Sequence, residues 1–375
     1  MDAEIGVAGA GVVGAAVALA LARRGASVVV FETEPEPGLA ASGTNSGILH
    51  TGFDSTPGEL ETALILRSAE LRDEVLDALG VPVLHCGAVL NARDDDERAT
   101  AARLAAGAER NGVEAELAPD GSLRVPGESV TDPVAYTGAL AAAAAGLGAD
   151  VRTGSRVQGL RPVSGGLEID AGDGDRIRVR VVVNCAGLRA DEVARMAGDP
   201  SFEIYPRKGE FLVFDPPGGE PLERILLPVP TTRTKGVLVF PTLDGKVVAG
   251  PTAVDLDDKD DWSVRPEAAA EIVPKAVAMH PPLEGAEPIA SYAGLRPAGR
   301  GVNYAIGASP HAEGLVNVAA IRSTGLTASL GIAEHVAGIV EGLGVALGDE
   351  APLPRGPAPE TGPWWRRTAE FRATA

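Results

Sequence analysis

The first 32 residues constrain this chain more than any other stretch. An apolar run from Ile5 to Ala8 meets the pattern Gly9-x-Gly11-x-x-Gly14, an Ala/Leu-rich helix follows to Arg24, and a second apolar run from Ser27 to Phe31 ends at Glu32. This is a strand, a helix and a strand. Such a connection is a right-handed crossover between parallel strands, so the chain opens with the core of an α/β sheet. Each glycine has a physical reason. Gly9 allows the tight turn, Gly11 lets the backbone approach a pyrophosphate, and Gly14 permits close helix packing, while free N–H groups at the helix start face the phosphates. Glu32 follows at about 20 residues, the distance at which a carboxylate accepts ribose hydroxyls. The unit is a dinucleotide site, and by itself it does not choose between FAD and NAD.

With 375 residues and 45% apolar content the chain can bury more than one core. A Gly/Ser/Thr-rich stretch from Gly38 to Gly58 is too long for an ordinary connection. Apolar spacing predicts helices over Glu59 to Leu79, Asp94 to Asn111 and Thr131 to Ala145, with the acidic run Asp94 to Glu97 as a solvated helix start. Period-two alternation marks segments near Val151 to Leu160, Leu167 to Ala171 and Arg176 to Val183. Strand-like runs recur at Glu210 to Phe214, Gly236 to Phe240 and Lys246 to Ala249. A strand from Leu315 to Ile321 and a helix from Thr327 to Glu341 restore the α/β pattern.

The expected fold is therefore α/β, a Rossmann-type nucleotide domain with an inserted, mainly antiparallel β substrate domain (α+β). The nucleotide domain is discontinuous over 1–82, 131–200 and 290–348. The substrate or cap domain takes 83–130 and 201–289, and 349–375 is a Pro-rich C-terminal tail. Trp364-Trp365-Arg366-Arg367 in that tail is expected to pack on its own protein rather than on a membrane or redox partner.

Acidic residues outnumber basic ones, 52 to 33, for a formal net charge of -19. That charge repels phosphate backbones and excludes nucleic acid as a partner. No basic leader precedes the first strand and no stretch reaches membrane-span length, so a cytoplasmic protein without a membrane span is expected. Cys86 and Cys185 stand far apart and give neither a disulfide framework nor a metal site.

Further motifs are Ser42-Gly43-Thr44-Asn45-Ser46-Gly47, running on through His50 to Gly52, then Asn184-Cys185-Ala186-Gly187 and Pro206-Arg207-Lys208-Gly209-Glu210. Ala293-Gly294-Leu295-Arg296-Pro297 and Ser323-Thr324-Gly325-Leu326-Thr327 follow. Carrying these, the chain resembles the D-amino-acid oxidase superfamily of FAD-dependent oxidoreductases, in the branch of L-2-hydroxyglutarate and glycerol-3-phosphate dehydrogenases. The resemblance runs from the glycine triplet to about residue 345.

It implies FAD as cofactor. It also implies that the loop bearing Ser42, Asn45, Ser46 and Gly47 wraps the pyrophosphate and isoalloxazine, and that Val157 and Gly187 meet the nucleotide through their backbone. Gly325, Leu326 and Thr327 then present a helix's positive end to the flavin. His50 is implied as the base that takes the substrate hydroxyl proton, a task suited to an imidazole near neutrality. Arg296 is implied to hold the substrate anion, since a guanidinium matches carboxylate or phosphate with two parallel bonds. Lys208 and Arg322 are further substrate-binding candidates. His85, His280, His311 and His335 default to structural roles.

The implied function is oxidation of the CH–OH group of a small anionic substrate, glycerol 3-phosphate or a 2-hydroxy acid such as L-2-hydroxyglutarate, by hydride transfer to flavin. The alternatives are an amino-acid or secondary-amine oxidase of the same superfamily, or a non-catalytic flavin-binding module. Longer members of the branch continue into a cysteine-rich iron-sulfur domain, whereas this sequence has no cysteine after Cys185. The electron acceptor is therefore expected outside the chain, as oxygen, a quinone or a redox protein.

Overall fold

A computed structural model describes residues 1–172, 174–230, 236–356 and 362–374. The opening residues form strand β1 (Ala3–Ala8), helix α1 (Val12–Arg23) and strand β2 (Val28–Phe31). β1 lies inside an eight-stranded sheet, parallel to β2 on one side and to Arg176–Asn184 on the other. Asp150–Arg152 extends the parallel set beyond β2, and Leu315–Ala319 extends it beyond Asn184. Covered on both faces, these strands read as near-continuous apolar runs. Their carboxyl ends share one edge, where ligands bind in open α/β sheets. The expected alternating segments, Gly159–Val163 and Gly166–Asp170, pair antiparallel on the first half of Arg176–Asn184.

α1 is apolar all round and is buried between helices Pro133–Gly146 and Gly325–Gly342. A Cβ at Gly14 would stand 2.0 Å from the Gly9 carbonyl oxygen, so only glycine lets this helix start so close to the turn.

The second sheet has nine strands, antiparallel except where Ile225–Leu227 runs parallel to Ala88–Leu90. Its spine is Ile204–Phe214 against Ala290–Gly299, paired along their length from Ile204 with Gly299 to Val213 with Ala290. Residues 290–299, placed with the nucleotide domain on sequence, thus belong to this sheet. A strand's own residues report that it is extended, not which neighbour it pairs with. A small third sheet joins Ile48–Leu49, Ser129–Thr131 and Val83–Leu84.

The tail ends in a helix, Trp364–Thr374, that the Pro-rich sequence did not signal. Trp364 and Trp365 are 1% and 2% exposed, so they are core residues of this protein. The Trp364 and Tyr292 rings meet edge-to-face, with centroids 5.5 Å apart. Among the described residues, no helix is long and apolar enough to cross a membrane.

Candidate functional site

Two cavities adjoin where the sheets meet, and Ala41, Asn45 and Arg322 line both. The first, about 280 Å³, opens along the carboxyl edge of the parallel strands. Gly9, Gly11, Gly14, Glu32, Ser42, Asn45, Val157, Gly187, Gly325 and Leu326 line it, so the structure brings most of the expected cofactor residues to one wall. Gly9 has φ +98, and a Cβ there would meet the Cys185 carbonyl oxygen at 2.6 Å. At Gly11 a Cβ would meet only the Ser42 hydroxyl, at 3.1 Å, leaving backbone bare toward the cavity. The Val12 N–H donates to that hydroxyl at 2.9 Å, which ties the loop after β2 to the start of α1.

Glu32 is 7% exposed. Its carboxylate accepts from the Ala10 N–H at 2.6 Å and the Glu34 N–H at 2.9 Å. Burial raises its pKa above the usual carboxylate value, and the two amides oppose that shift without cancelling it. A bare glycine turn, first-turn amides and a buried carboxylate in one cavity fit a dinucleotide.

Two expected residues stand behind the wall. The Gly47 N–H donates to Asn45 Oδ1 at 3.0 Å, and the Gly47 carbonyl accepts from the Thr131 N–H at 2.8 Å. Thr327 Oγ1 accepts from the His50 N–H at 3.1 Å. Both shape the site without facing it, and Ser46 lines the second cavity instead.

That second cavity, about 450 Å³, is walled by apolar groups including Phe53, Leu90, Phe211 and Phe240. His50 enters from the small third sheet. Ile48 pairs with Val130 and Leu49 with Ser129, so one step further along this register His50 faces Glu128. Nδ1 of His50 lies 2.8 Å from Glu128 Oε2. Glu128 is fully buried, and its other oxygen accepts from the Thr51 N–H at 2.7 Å and the Thr51 hydroxyl at 2.9 Å. Buried Arg72 donates to the His50 carbonyl at 3.1 Å; burial lowers its pKa, and the Glu128 charge opposes that. The ring is thus held at one nitrogen, leaving Nε2 as its other polar atom.

Arg207, Arg296 and Arg322 also line this cavity. Arg296 is directly opposite Arg207 in the strand pairing. Its Nε donates to the Arg207 carbonyl at 3.0 Å, and its Nη2 donates to the Lys208 and Thr252 carbonyls at 3.0 and 2.9 Å. Among the described residues only Nη1 remains, so the two-pronged contact expected from its residue type gives way to a single nitrogen. Burial, reinforced by the charges of Arg207 and Arg322, pushes its pKa down to about 10. Arg322 has φ +57, a left-handed conformation that costs about 1–2 kcal/mol, and among the described residues its side chain has no hydrogen-bond or ion-pair partner. Strain of this kind concentrates at functional positions.

Lys208 does not reach the cavity, which corrects its candidacy. Side chains alternate along Ile204–Phe214, so Arg207, Gly209 and Phe211 face the cavity while Lys208 and Glu210 face away. Lys208 is fully buried against Asp261, at 2.9 Å, and the Ser263 carbonyl, at 2.8 Å. Arg207 was within reach of sequence reasoning through its parity with Gly209. Glu128 carried no local signal, being 78 residues from its partner.

The family model described as FAD dependent oxidoreductase matches residues 4–339, and the chain belongs to that family. Glycerol 3-phosphate dehydrogenase of Caloramator mitchellensis is 30% identical, the alignment covering 91% of this chain and 74% of that protein. L-2-hydroxyglutarate dehydrogenase of Escherichia coli is 29% identical over 66% of this chain, and the match spans 63% of that relative's length. Among solved structures, FAD-bound L-α-glycerophosphate oxidase of Mycoplasma pneumoniae superposes with a TM-score of 0.87, covering 94% of this chain and 98% of that one, at 24% identity. Glycine oxidase of Geobacillus kaustophilus superposes at 0.80, with the same coverage and 25% identity.

Proposed function

Starting from an FAD-dependent oxidoreductase, we propose that this chain oxidises the CH–OH group of a small anionic substrate, glycerol 3-phosphate or a 2-hydroxy acid such as L-2-hydroxyglutarate. The observation that carries this reading is one cavity holding a carboxylate-anchored His50 together with the three cations Arg207, Arg296 and Arg322. The substrates named for the relatives in both groups agree with it.

In this reading the Gly9, Gly11 and Gly14 turn and the first amides of α1 receive the pyrophosphate, and Glu32 accepts the ribose hydroxyls. Val157 and Gly187 contact the adenosine half. Ser42, whose hydroxyl meets the Val12 amide, would lie beside the pyrophosphate, and Asn45, Gly325 and Leu326 would surround the isoalloxazine end, where the helix that starts at Gly325 favours negative charge. Gly47 and Thr327 support that shell from behind. Bound FAD supplies the hydride acceptor, with an external electron acceptor (oxygen, a quinone or a redox protein) beyond it.

His50 removes the hydroxyl proton. With one proton on Nδ1 donated to Glu128, Nε2 presents a lone pair to the substrate hydroxyl. The imidazolium formed by accepting that proton is stabilised by the same carboxylate. Glu128 acts through His50, fixing its tautomer and ring plane, and the Thr51 bonds fix Glu128 in turn. Arg296 Nη1 and the Arg322 guanidinium hold the anionic end of the substrate, with Arg207, already paired to Asp255 at 2.7 Å, adding a third cation. The apolar part of the wall, with Phe53, Leu90, Phe211 and Phe240, excludes water and strengthens these contacts.

The test is anaerobic bleaching of bound flavin by glycerol 3-phosphate, L-2-hydroxyglutarate, lactate and glycine. One of the two dianionic hydroxy compounds should reduce the flavin fastest. Reduction by glycine alone would replace this reading with an amine oxidase, which the glycine oxidase likeness makes the second reading. Reduction by none of the four would leave a flavin-binding module.

A further inference from the structure

The C-terminal helix lies beyond the segment that matches the family model, residues 4–339, yet it reaches the cofactor cavity. Arg372 lines that cavity together with Glu34, Trp262 and Val157. Its guanidinium stacks over Trp262, with the central carbon 4.1 Å from the ring centroid. Its Nη2 donates to Glu34 Oε1 at 2.8 Å and to the Leu39 carbonyl at 2.9 Å. Among the described residues its Nε is buried with no acceptor, on a side chain 10% exposed. Arg189 and Lys259 on this wall are likewise paired with carboxylates, Arg189 with Asp260 and Glu192 and Lys259 with Asp191 and Glu192.

The helix is fastened to both sheets around this point. Thr368 Oγ1 donates to the Gly43 carbonyl at 3.0 Å, in the loop after β2, and the Trp365 indole N–H donates to Asp244 at 3.2 Å, in the second sheet's unit. We propose that the C-terminal helix is part of the FAD site, with Arg372 a cofactor-binding residue at the adenosine end. That end follows from position, since Glu34 is two residues past Glu32 and Val157 shares the wall. A buried N–H without an acceptor is unfavourable, and adenosine or its phosphate offers acceptors that the protein does not. Presenting Nε to them requires the guanidinium to turn off Trp262. The proposal rests on FAD binding and not on the substrate assignment.

The experiment uses full-length apoprotein of the parent, Arg372→Lys and Arg372→Ala. FAD affinity is read from quenching of flavin fluorescence, ADP affinity from competition with FAD, and thermal unfolding of each apoprotein is measured alongside. Arg372→Lys keeps a charge for Glu34 but lacks Nε. Both variants should weaken FAD and ADP by the same factor, about tenfold, the size of one charged hydrogen bond, and Arg372→Lys should stay folded, its unfolding temperature falling less than that of Arg372→Ala. If Arg372→Lys binds ADP as tightly as the parent, Arg372 only docks the helix and the proposal fails. A loss for FAD without one for ADP would also overturn it, because the contact would then lie at the flavin end. Should Arg372→Ala not fold, Arg372→Lys decides.

Discussion

The two adjoining cavities are built in opposite ways. The cofactor cavity takes its decisive groups from the opening crossover, Gly9 to Glu32, where turn, helix start and carboxylate follow in one local unit. The substrate cavity gathers His50, Arg207, Arg296 and Arg322 from four separate segments, and Glu128 supports it from a fifth. Backbone and a helix terminus do the work in the first, and charged side chains held by distant partners do it in the second. The first cavity should therefore fail by losing its ligand and the second by losing turnover.

The largest effects test that division directly. His50→Ala should keep its flavin and lower the rate of flavin reduction on the order of 10²- to 10⁴-fold, as expected for removal of a general base. Glu32→Arg should do the reverse, leaving a folded protein with little bound FAD, since a cation replaces the ribose acceptor. Flavin occupancy after gel filtration and stopped-flow reduction with the best panel substrate separate the two. Should His50→Ala reduce its flavin at the parent's rate, the base lies elsewhere and the contrast between the cavities collapses.

Glu128→Gln sharpens the comparison, because it alters a residue that touches neither ligand. The amide cannot stabilise an imidazolium, and its NH2 disturbs the accepting pattern toward Thr51. A fall of about 10- to 100-fold in reduction rate is expected, by analogy with carboxylates that orient metal-bound histidines, with little change in KM. A rise in KM with unchanged kcat would instead mean that Glu128 only shapes the cavity. A smaller effect is expected from Arg322→Ala. Loss of one charged hydrogen bond to the substrate should raise KM by about tenfold or somewhat more. Arg296→Ala should additionally cost stability, because three carbonyls of the Ile204–Phe214 and Thr252 region lose their donor.

The same contrast explains what the sequence could tell. The crossover was legible because its signals are local: a change of period, three glycines and one acid at fixed spacing. Strand parity could have exchanged Lys208 for Arg207, since residues two apart share a face and Gly209 lies on the cavity side. Pairing between distant strands was not legible. Nothing within residues 290–299 marks Ile204–Phe214 as their neighbour, and only the antiparallel register of Ile48–Leu49 with Ser129–Thr131 brings Glu128 to His50. The C-terminal helix was hidden by its proline-rich approach, although paired tryptophans at 1% and 2% exposure show how firmly it docks.

The smallest predicted effect concerns the charge of Glu32 in the apoprotein. Burial raises the folded-state pKa of this carboxyl above 4.5, and the Ala10 and Glu34 amides only partly offset that. A raised acid pKa means the folded state binds the proton more tightly than the unfolded chain. Its contribution to stability is then fully present below about 4.5 and is lost as pH rises through the folded-state value. Glu32→Gln has no proton to lose. Its amide nitrogen must sit against one of two N–H donors, so the variant starts from a lower unfolding temperature at acid pH, and the gap to the parent should narrow as pH rises from about 4.5 toward neutrality. The change in the gap should not exceed about 2–4 °C. Thermal melts of both apoproteins at matched ionic strength give the comparison. Parallel curves would show that Glu32 carries no buried-charge penalty in the apoprotein, and the cofactor cavity would then lack the polar preorganisation that its geometry indicates.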